Sequence, residues 1–379
     1  MRKTGKYITQ PRGYKAFSPS QLPPHPRLEV DQQTLELQEQ AASNLAKLES
    51  LSCFLPNIDL FVSMYVKKEA ILSCQIEGIE ASLVDLAEYG MGIDLKNRSD
   101  AQEVVNYVKA LDYGIQRLKT LPMSTRLIRE LHAILLKDFP HKTPGEFKRT
   151  QNWIGPARST LQTASFIPPN PEDTLEAMSE LEKYLHNPAP YSELINCALI
   201  HYQFETIHPF LDGNGRVGRL LIVLYLYWKG LVEKPLLYAS YYFKKHRQEY
   251  DDRLTMVRET GNYEQWVDFF LKAMIEASES AIDNTKKILE LRAKDEKLLL
   301  EKRISTPLAV ALLHKLFYTP VITIADAEKE YAISYPTASN LVNQFVDLGI
   351  LKEMTGKKRA KRFVYAEYMN ILSEGTRPL

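Results

Sequence analysis

Four side chains able to do chemistry together fall within twelve residues: His208, Asp212, Arg216 and Arg219, in the stretch His208-Pro-Phe-Leu-Asp-Gly-Asn-Gly-Arg-Val-Gly-Arg219. His208 is the one among them able to take a proton from a hydroxyl near neutral pH. Asp212 offers a hard oxygen, suited to Mg²⁺ shared with a phosphate. Gly213 and Gly215 let backbone N–H groups approach a ligand closely, as phosphate-binding loops do. Arg216 and Arg219, three apart, share one side of a helix, at the end where the helix dipole disfavours cations. Taken singly, each feature has a plain explanation: His-Pro ends helices and Gly-Asn-Gly makes turns. None of those explanations accounts for two arginines at the wrong end of a helix. Base, metal ligand and anion cradle together point to phosphoryl or nucleotidyl transfer.

Two buried helices must position these groups. Glu193 to Ile207 is an apolar-rich run, and Arg216 to Trp228 carries Leu220, Leu221, Val223, Leu224 and Leu226 over nearly its whole surface. The second helix starts at Gly-Asn-Gly, so its free N–H groups and positive dipole end face the loop.

The twelve-residue stretch resembles the signature of the Fic family, H-x-F-x-[D/E]-G-N-G-R-x-x-R, at every fixed position. The resemblance implies an α-helical core that transfers AMP from Mg-ATP to a hydroxyl of a target protein. It implies His208 as the base, Asp212 as the Mg²⁺ ligand, and the Gly213, Asn214, Gly215 segment with Arg216 as the phosphate site. Arg219 then grips the distal phosphates, and Phe210 pins the loop. A phosphorylating relative departs from the Gly-Asn-Gly-Arg pattern, so phosphorylation is the weaker expectation. Upstream, Ser73-Cys-Gln-Ile-Glu77-Gly78 resembles the family's inhibitory motif, [S/T]-x-x-x-E-[G/N]. By that resemblance Glu77 pairs with Arg219. A carboxylate in the guanidinium fork competes with the γ-phosphate for the same donors. The segment Pro144 to Ala157, with Trp153, Ile154 and Gly155, resembles the family's flap, which holds the target by added-strand pairing. Thr150 to Ile154 and Ser165 to Ile167 are expected to pair there as a hairpin. Two other functions fit the same residues. The site could remove AMP with Glu77 orienting water, or a nucleotide-sensing regulator could bind DNA. Self-modification is a further possibility, with no residue favoured.

Composition bounds the rest. A chain of 379 residues, 45% hydrophobic and 25% charged, is an ordinary globular protein of two or three domains. A net charge of +1 gives no global pull towards nucleic acid or membrane. Cys53, Cys74 and Cys197 lack paired or metal-ligand spacing and read as buried thiols in a reducing compartment. No signal-peptide core or membrane-spanning run is present, so the expected location is cytoplasmic, without membrane contact.

The fold expected is mainly α: a helical core with a small β-hairpin flap, plus a C-terminal winged helix-turn-helix domain. Residues 1–98 form an N-terminal arm and inhibitory-helix region, 99–274 the catalytic core, 275–303 a connecting helix, and 304–379 the winged helix. The Pro-rich arm, residues 1 to 28, is expected to wrap the domain through Tyr14, Phe17 and Leu22. Helices are expected at 35–51, 57–76, 99–121, 125–136, 171–186 and 191–207, with Ser99 capping the third and Ser124 or Thr125 the fourth. Tyr241 and Tyr242 could flank the adenine, although such a stripe is more often core packing. At the C-terminus, helices at 306–317, 324–331 and 334–348 precede a hairpin turning at Thr355-Gly356. Lys352, Lys357, Lys358, Arg359, Lys361 and Arg362 face one acid, Glu353, a pattern suited to phosphate contact with DNA. Such modules also mediate dimer contacts, so a homodimer is possible.

Overall fold

The computed structural model describes residues 2–52, 58–90, 98–156, 158–354 and 361–374. It opens on an antiparallel hairpin, β1 (Gly5–Thr9) and β2 (Lys15–Pro19), in which Tyr7 faces Phe17. The arm is therefore a short sheet where an extended wrap was expected, and its anchors are those the sequence suggested. Phe17 is buried and its N–H donates to the Ile167 carbonyl (2.9 Å). Tyr14 Oη donates to Gln151 (3.3 Å), and Leu22 packs on the core.

Helices α1 (Gln32–Ser52), α2 (Ile58–Ile76), α3 (Leu83–Gly90) and α4 (Arg98–Arg117) follow. Ser99 lies inside α4 and does not cap it. Ser124 caps α5 (Thr125–Leu135) by accepting from the Leu127 N–H. Then come a single 3-10 turn at Pro140–Lys142 and α6 (Pro171–His186), capped by Asn170. Ser192 caps α7 (Glu193–Ile207), and α8 is Asn214–Trp228. Almost every residue of α7 and α8 is buried, as helices apolar on all sides must be. They form the centre of the core, with α2, α4 and α5 against α8.

Helices α9 (Ser240–Lys245) and α10 (Arg247–Thr260) lead into α11 (Glu264–Glu301). At 38 residues α11 is about 57 Å long. The expected boundary at 274/275 falls inside it. Its first turns bury Trp266, Phe269 and Phe270, with Trp266 Nε1 donating to the Ala198 carbonyl of α7 (2.8 Å). No Gly or Pro interrupts the run, so one helix serves both the core and the C-terminal elements.

The C-terminal unit runs α12 (Pro307–Tyr318), β3 (Val321–Thr323), α13 (Ile324–Tyr331), α14 (Tyr335–Asp347), β4 (Lys352–Glu353), β5 (Arg362–Val364) and α15 (Ala366–Ser373). Its three strands pair antiparallel in the order β3-β5-β4. The expected turn at Thr355-Gly356 and the cations Lys357, Lys358 and Arg359 lie outside the described residues, as does Cys53. Cys74 and Cys197 are buried free thiols. Among the described residues no helix is long and apolar enough to cross a membrane.

Tyr365 fastens this unit to α11. Its hydroxyl donates to Asp295 Oδ2 (2.5 Å), with both residues buried. Tyr365→Phe would leave a buried carboxylate without that donor, at a cost of roughly 1–3 kcal/mol. Thermal unfolding should show a lower midpoint; an unchanged midpoint would contradict this role for the bond.

Candidate active site

The loop between α7 and α8 is fixed by its own polar groups. His208 ends α7 in the left-handed region (φ 49°), with its N–H on the Phe204 carbonyl (2.9 Å). A non-glycine residue held there costs roughly 1–3 kcal/mol, so neighbours must enforce it. Two do. Lys148 Nζ donates to the carbonyls of His208 (3.0 Å) and Ile207 (3.2 Å), and Asn152 Nδ2 to those of His208 (2.9 Å) and Phe210 (2.8 Å). Lys148 also donates to Asn152 Oδ1 (2.8 Å), and burial pushes its amine down to about 7. Gly213 then takes φ 76°, and α8 begins.

Asn214 closes the loop on itself. Its Oδ1 accepts from the Phe210 N–H and its Nδ2 donates to the Phe210 carbonyl, both at 2.8 Å. The side chain expected to contact phosphate is thus a clasp, leaving the backbone N–H groups for an anion. Phe210 is fully buried and lies flat on the His132 ring, with centroids 3.7 Å apart. His132 Nδ1 accepts from the Gly145 N–H (2.8 Å), which puts the ring proton on Nε2, facing the Asp212 carbonyl (3.0 Å). Burial pushes this imidazole down from 6.5 to about 4. Its contribution is therefore complete above pH 6.5 and is lost as pH falls through about 4.

The charges fall into two groups. In the first, buried Arg216 donates to Glu103 of α4 and to Asp212 Oδ1 (3.3 Å). Lys142 sits 2.9 Å from Asp212 Oδ2 and 4.0 Å from Glu103 Oε1. Burial raises the Asp212 carboxyl, but Lys142 and Arg216 outweigh it and hold it below the usual range.

In the second, Arg219 meets the end of α2. Its Nε donates to Ser73 Oγ (2.8 Å), and its Nη2 to the Ser73 carbonyl (2.9 Å) and Glu77 Oε1 (2.7 Å). Burial disfavours an ionised Glu77, but Arg219 overcomes this and lowers its pKa. A Cβ on Gly215 would collide with Glu77 Oε1, so the carboxylate lies directly over the first turn of α8. That is where the dipole and free N–H groups invite an anion. Arg247 of α10 secures α2 by donating to the Ile76 carbonyl.

His208 itself is half-buried, and its Nδ1 has no hydrogen-bond partner among the described residues. Burial, followed by the Lys148 charge, pushes its pKa down to about 3, so the ring is neutral at pH 7.

The structure brings His208, Asp212, Gly213, Asn214, Gly215, Arg216 and Arg219 together, with Ser73 and Glu77 across from Arg219. Tyr241 and Tyr242 stand differently. Tyr242 is buried, its ring on His246 (4.3 Å) and Phe269 (5.2 Å). Tyr241 borders a small cavity beside Tyr65 and Lys68. Tyr242 thus packs in the core, while Tyr241 is partly buried at a cavity wall. In the flap, Ile154 and Phe166 exchange both backbone hydrogen bonds (2.8 and 3.0 Å), but the expected hairpin is reduced to this one bridge. Pro156, Pro168 and Pro169 lack the N–H groups a longer ladder needs. Trp153, Ile154 and Gly155 are exposed. Sequence reading missed Glu103, His132, Lys142 and Lys148, which reach the loop from distant segments and carry no local signal.

Residues 122–226 match the family model described as Fic/DOC family, and residues 35–116 the one described as Fic/DOC family N-terminal. The protein adenylyltransferase Fic of Drosophila grimshawi is 31% identical over 189 residues, 46% of this chain and 37% of that protein. The protein of the same description from Culex quinquefasciatus is 31% identical over 204 residues, 51% of this chain and 37% of that protein. The match thus spans under two-fifths of these relatives' length. Among solved structures, a Fic family protein from Desulfovibrio desulfuricans superposes with a TM-score of 0.59 at 18% identity, covering 89% of this chain and 97% of that one. Fic-1 from C. elegans gives 0.51 at 20% identity, over 68% and 74%. The helical fold is the Fic fold.

With both rings held neutral, NMR titration of the histidines should show neither His132 nor His208 taking a proton between pH 5 and 8. In Lys148→Met, the His208 pKa should rise as the neighbouring charge disappears. A wild-type step near 6.5 at either ring would contradict the electrostatics described.

Proposed function

We propose that this chain, which carries the domains of the Fic/DOC family, is a protein adenylyltransferase restrained by its own Glu77. Transfer would move AMP from Mg-ATP to a hydroxyl of a target protein. The observation that carries this reading is the Glu77 carboxylate lying over Gly215 on Arg219, where a terminal phosphate would fit.

His208 takes the proton of the attacking hydroxyl; its neutral ring makes it available at pH 7. The hydroxyl oxygen bonds to the α-phosphorus as the α–β bridging bond breaks, and pyrophosphate leaves with that electron pair. The backbone N–H groups of Gly213 to Gly215 and the α8 dipole stabilise the charge gathering on the phosphate oxygens. Arg219 holds the distal phosphates once Glu77 withdraws. Arg216, already committed to Glu103 and Asp212, shapes the loop and adds positive field.

Asp212 is an ionised, half-exposed hard-oxygen donor beside the cradle. Among the described residues no group of three or more His, Cys, Asp or Glu could hold a metal. A Mg²⁺ arriving with ATP and keeping its own waters fits one carboxylate; a resident ion does not. When bound, such an ion neutralises phosphate charge.

Trp153, Ile154 and Gly155 form an exposed segment around the single Ile154–Phe166 bridge, suited to pairing with an extended target segment. The order of helices and strands after Thr306 supports a winged helix-turn-helix reading of the C-terminus. Lys361 is paired with Glu353 (2.9 Å), and so contributes little free charge to a DNA contact.

Label transfer from α-labelled ATP with Mg²⁺ in a cell lysate tests the reading. Strong labelling by Glu77→Gly is expected, with little by wild type and none by Glu77→Gly combined with His208→Ala. Transfer from γ-labelled ATP alone would make the chemistry phosphorylation. Silence with both labels would favour AMP removal, or a regulator that only senses nucleotide.

A further inference from the structure

Asp212 already has a cation where a metal would bind. Lys142 Nζ is 2.9 Å from Oδ2, and Arg216 occupies the other oxygen at 3.3 Å. The two cations are held differently. Arg216 is 2% exposed and fixed on Glu103. Lys142 is 22% exposed, at the end of the 3-10 turn Pro140–Lys142, with its ammonium 5.0 Å from the Phe139 ring centroid. It has a second carboxylate in reach: Glu103 Oε1 lies 4.0 Å from the same nitrogen.

We propose that Lys142 is the exchangeable counter-cation of Asp212, and that it sets how strongly the site couples divalent-ion and nucleotide binding. The inference rests on the assignment of Asp212 to the metal of Mg-ATP. An ammonium and a divalent ion cannot share one carboxylate oxygen without strong repulsion, so the ion binds Oδ2 only as Lys142 leaves it. Glu103 receives the displaced ammonium a short distance away, which keeps the displacement cheap. Lys142 thus neutralises Asp212 while the loop is empty. Without it, Asp212 would repel an incoming phosphate that carries no metal, and would hold a metal-bearing one more tightly.

Lys142 as a direct phosphate ligand gives the opposite sign: its removal would weaken nucleotide binding with or without metal. A merely structural lysine would lower stability and leave the coupling alone.

The test uses the full chain and ADP, with affinity measured by calorimetry in saturating Mg²⁺ and in EDTA. The quantity read is the ratio of the two Kd values in wild type, Lys142→Met, Lys142→Gln, Lys142→Arg and Asp212→Asn. Both neutral variants should raise the Mg²⁺ dependence about fivefold, the size of a partly exposed ion pair. Lys142→Arg should stay near wild type, and Asp212→Asn should fall below it. Neutral variants at or below the wild-type ratio, with Asp212→Asn still reduced, overturn the role of Lys142 and leave Asp212 as the metal ligand. An Asp212→Asn ratio equal to wild type removes Asp212 from the metal and overturns both.

Discussion

A buried guanidinium has to be surrounded by acceptors, and Arg219 sets this requirement at the centre of the molecule. It is 2% exposed, in the second turn of a helix whose N-terminal dipole end disfavours a cation. Ser73 and Glu77 provide acceptors from α2, and the carboxylates of Glu69 and Glu205 lie within its field. Burial drives Glu69 and Glu205 up to about 7 against the pull of Arg219, whereas Glu77, in direct contact with the guanidinium, is held below the usual carboxylate range. The end of α2 is held on the loop because Arg219 needs it there. On the proposed reading a triphosphate would meet the same need, and inhibition by Glu77 would be a competition for Arg219.

The loop illustrates how a ligand site is kept open. Its carbonyls and side-chain amides are satisfied internally, by Lys148, Asn152, His132 and Asn214, and this holds His208 in a left-handed conformation it would not choose. The N–H groups at the start of α8 keep their outward direction. Rigidity comes from segments far apart in the chain, so on the proposed reading the loop would be in place before an anion arrives.

Much of this arrangement is legible in the amino-acid sequence. The all-round apolar surfaces of 193–207 and 216–228 identify the two central helices, and the Gly-rich turn between them marks the loop. The Ser73–Glu77 spacing, one helical turn, places both groups on one face towards Arg219. What escaped has common causes. Glu103 and Lys142 act only through tertiary contacts with Asp212 and Arg216, and single charges on helix surfaces carry no sign of that. Asn214 was legible as a loop residue, but not as its clasp, because an amide between two glycines serves either role. Tyr242 packs on Phe269, while adenine and a core phenylalanine ask the same of a tyrosine. The core–tail boundary was obscured because α11 runs through it, and an uninterrupted helix shows no composition change where its surroundings change.

On the proposed reading, Glu77 stands where a terminal phosphate would meet Arg219. Calorimetric affinities of ATP and AMP for wild type and Glu77→Gly test it most directly, because AMP lacks the phosphates that would compete. Glu77→Gly should tighten ATP binding about tenfold or more, the worth of one charge-assisted pair, and leave AMP binding nearly unchanged. Equal gains for both nucleotides, or no gain for ATP, would contradict it.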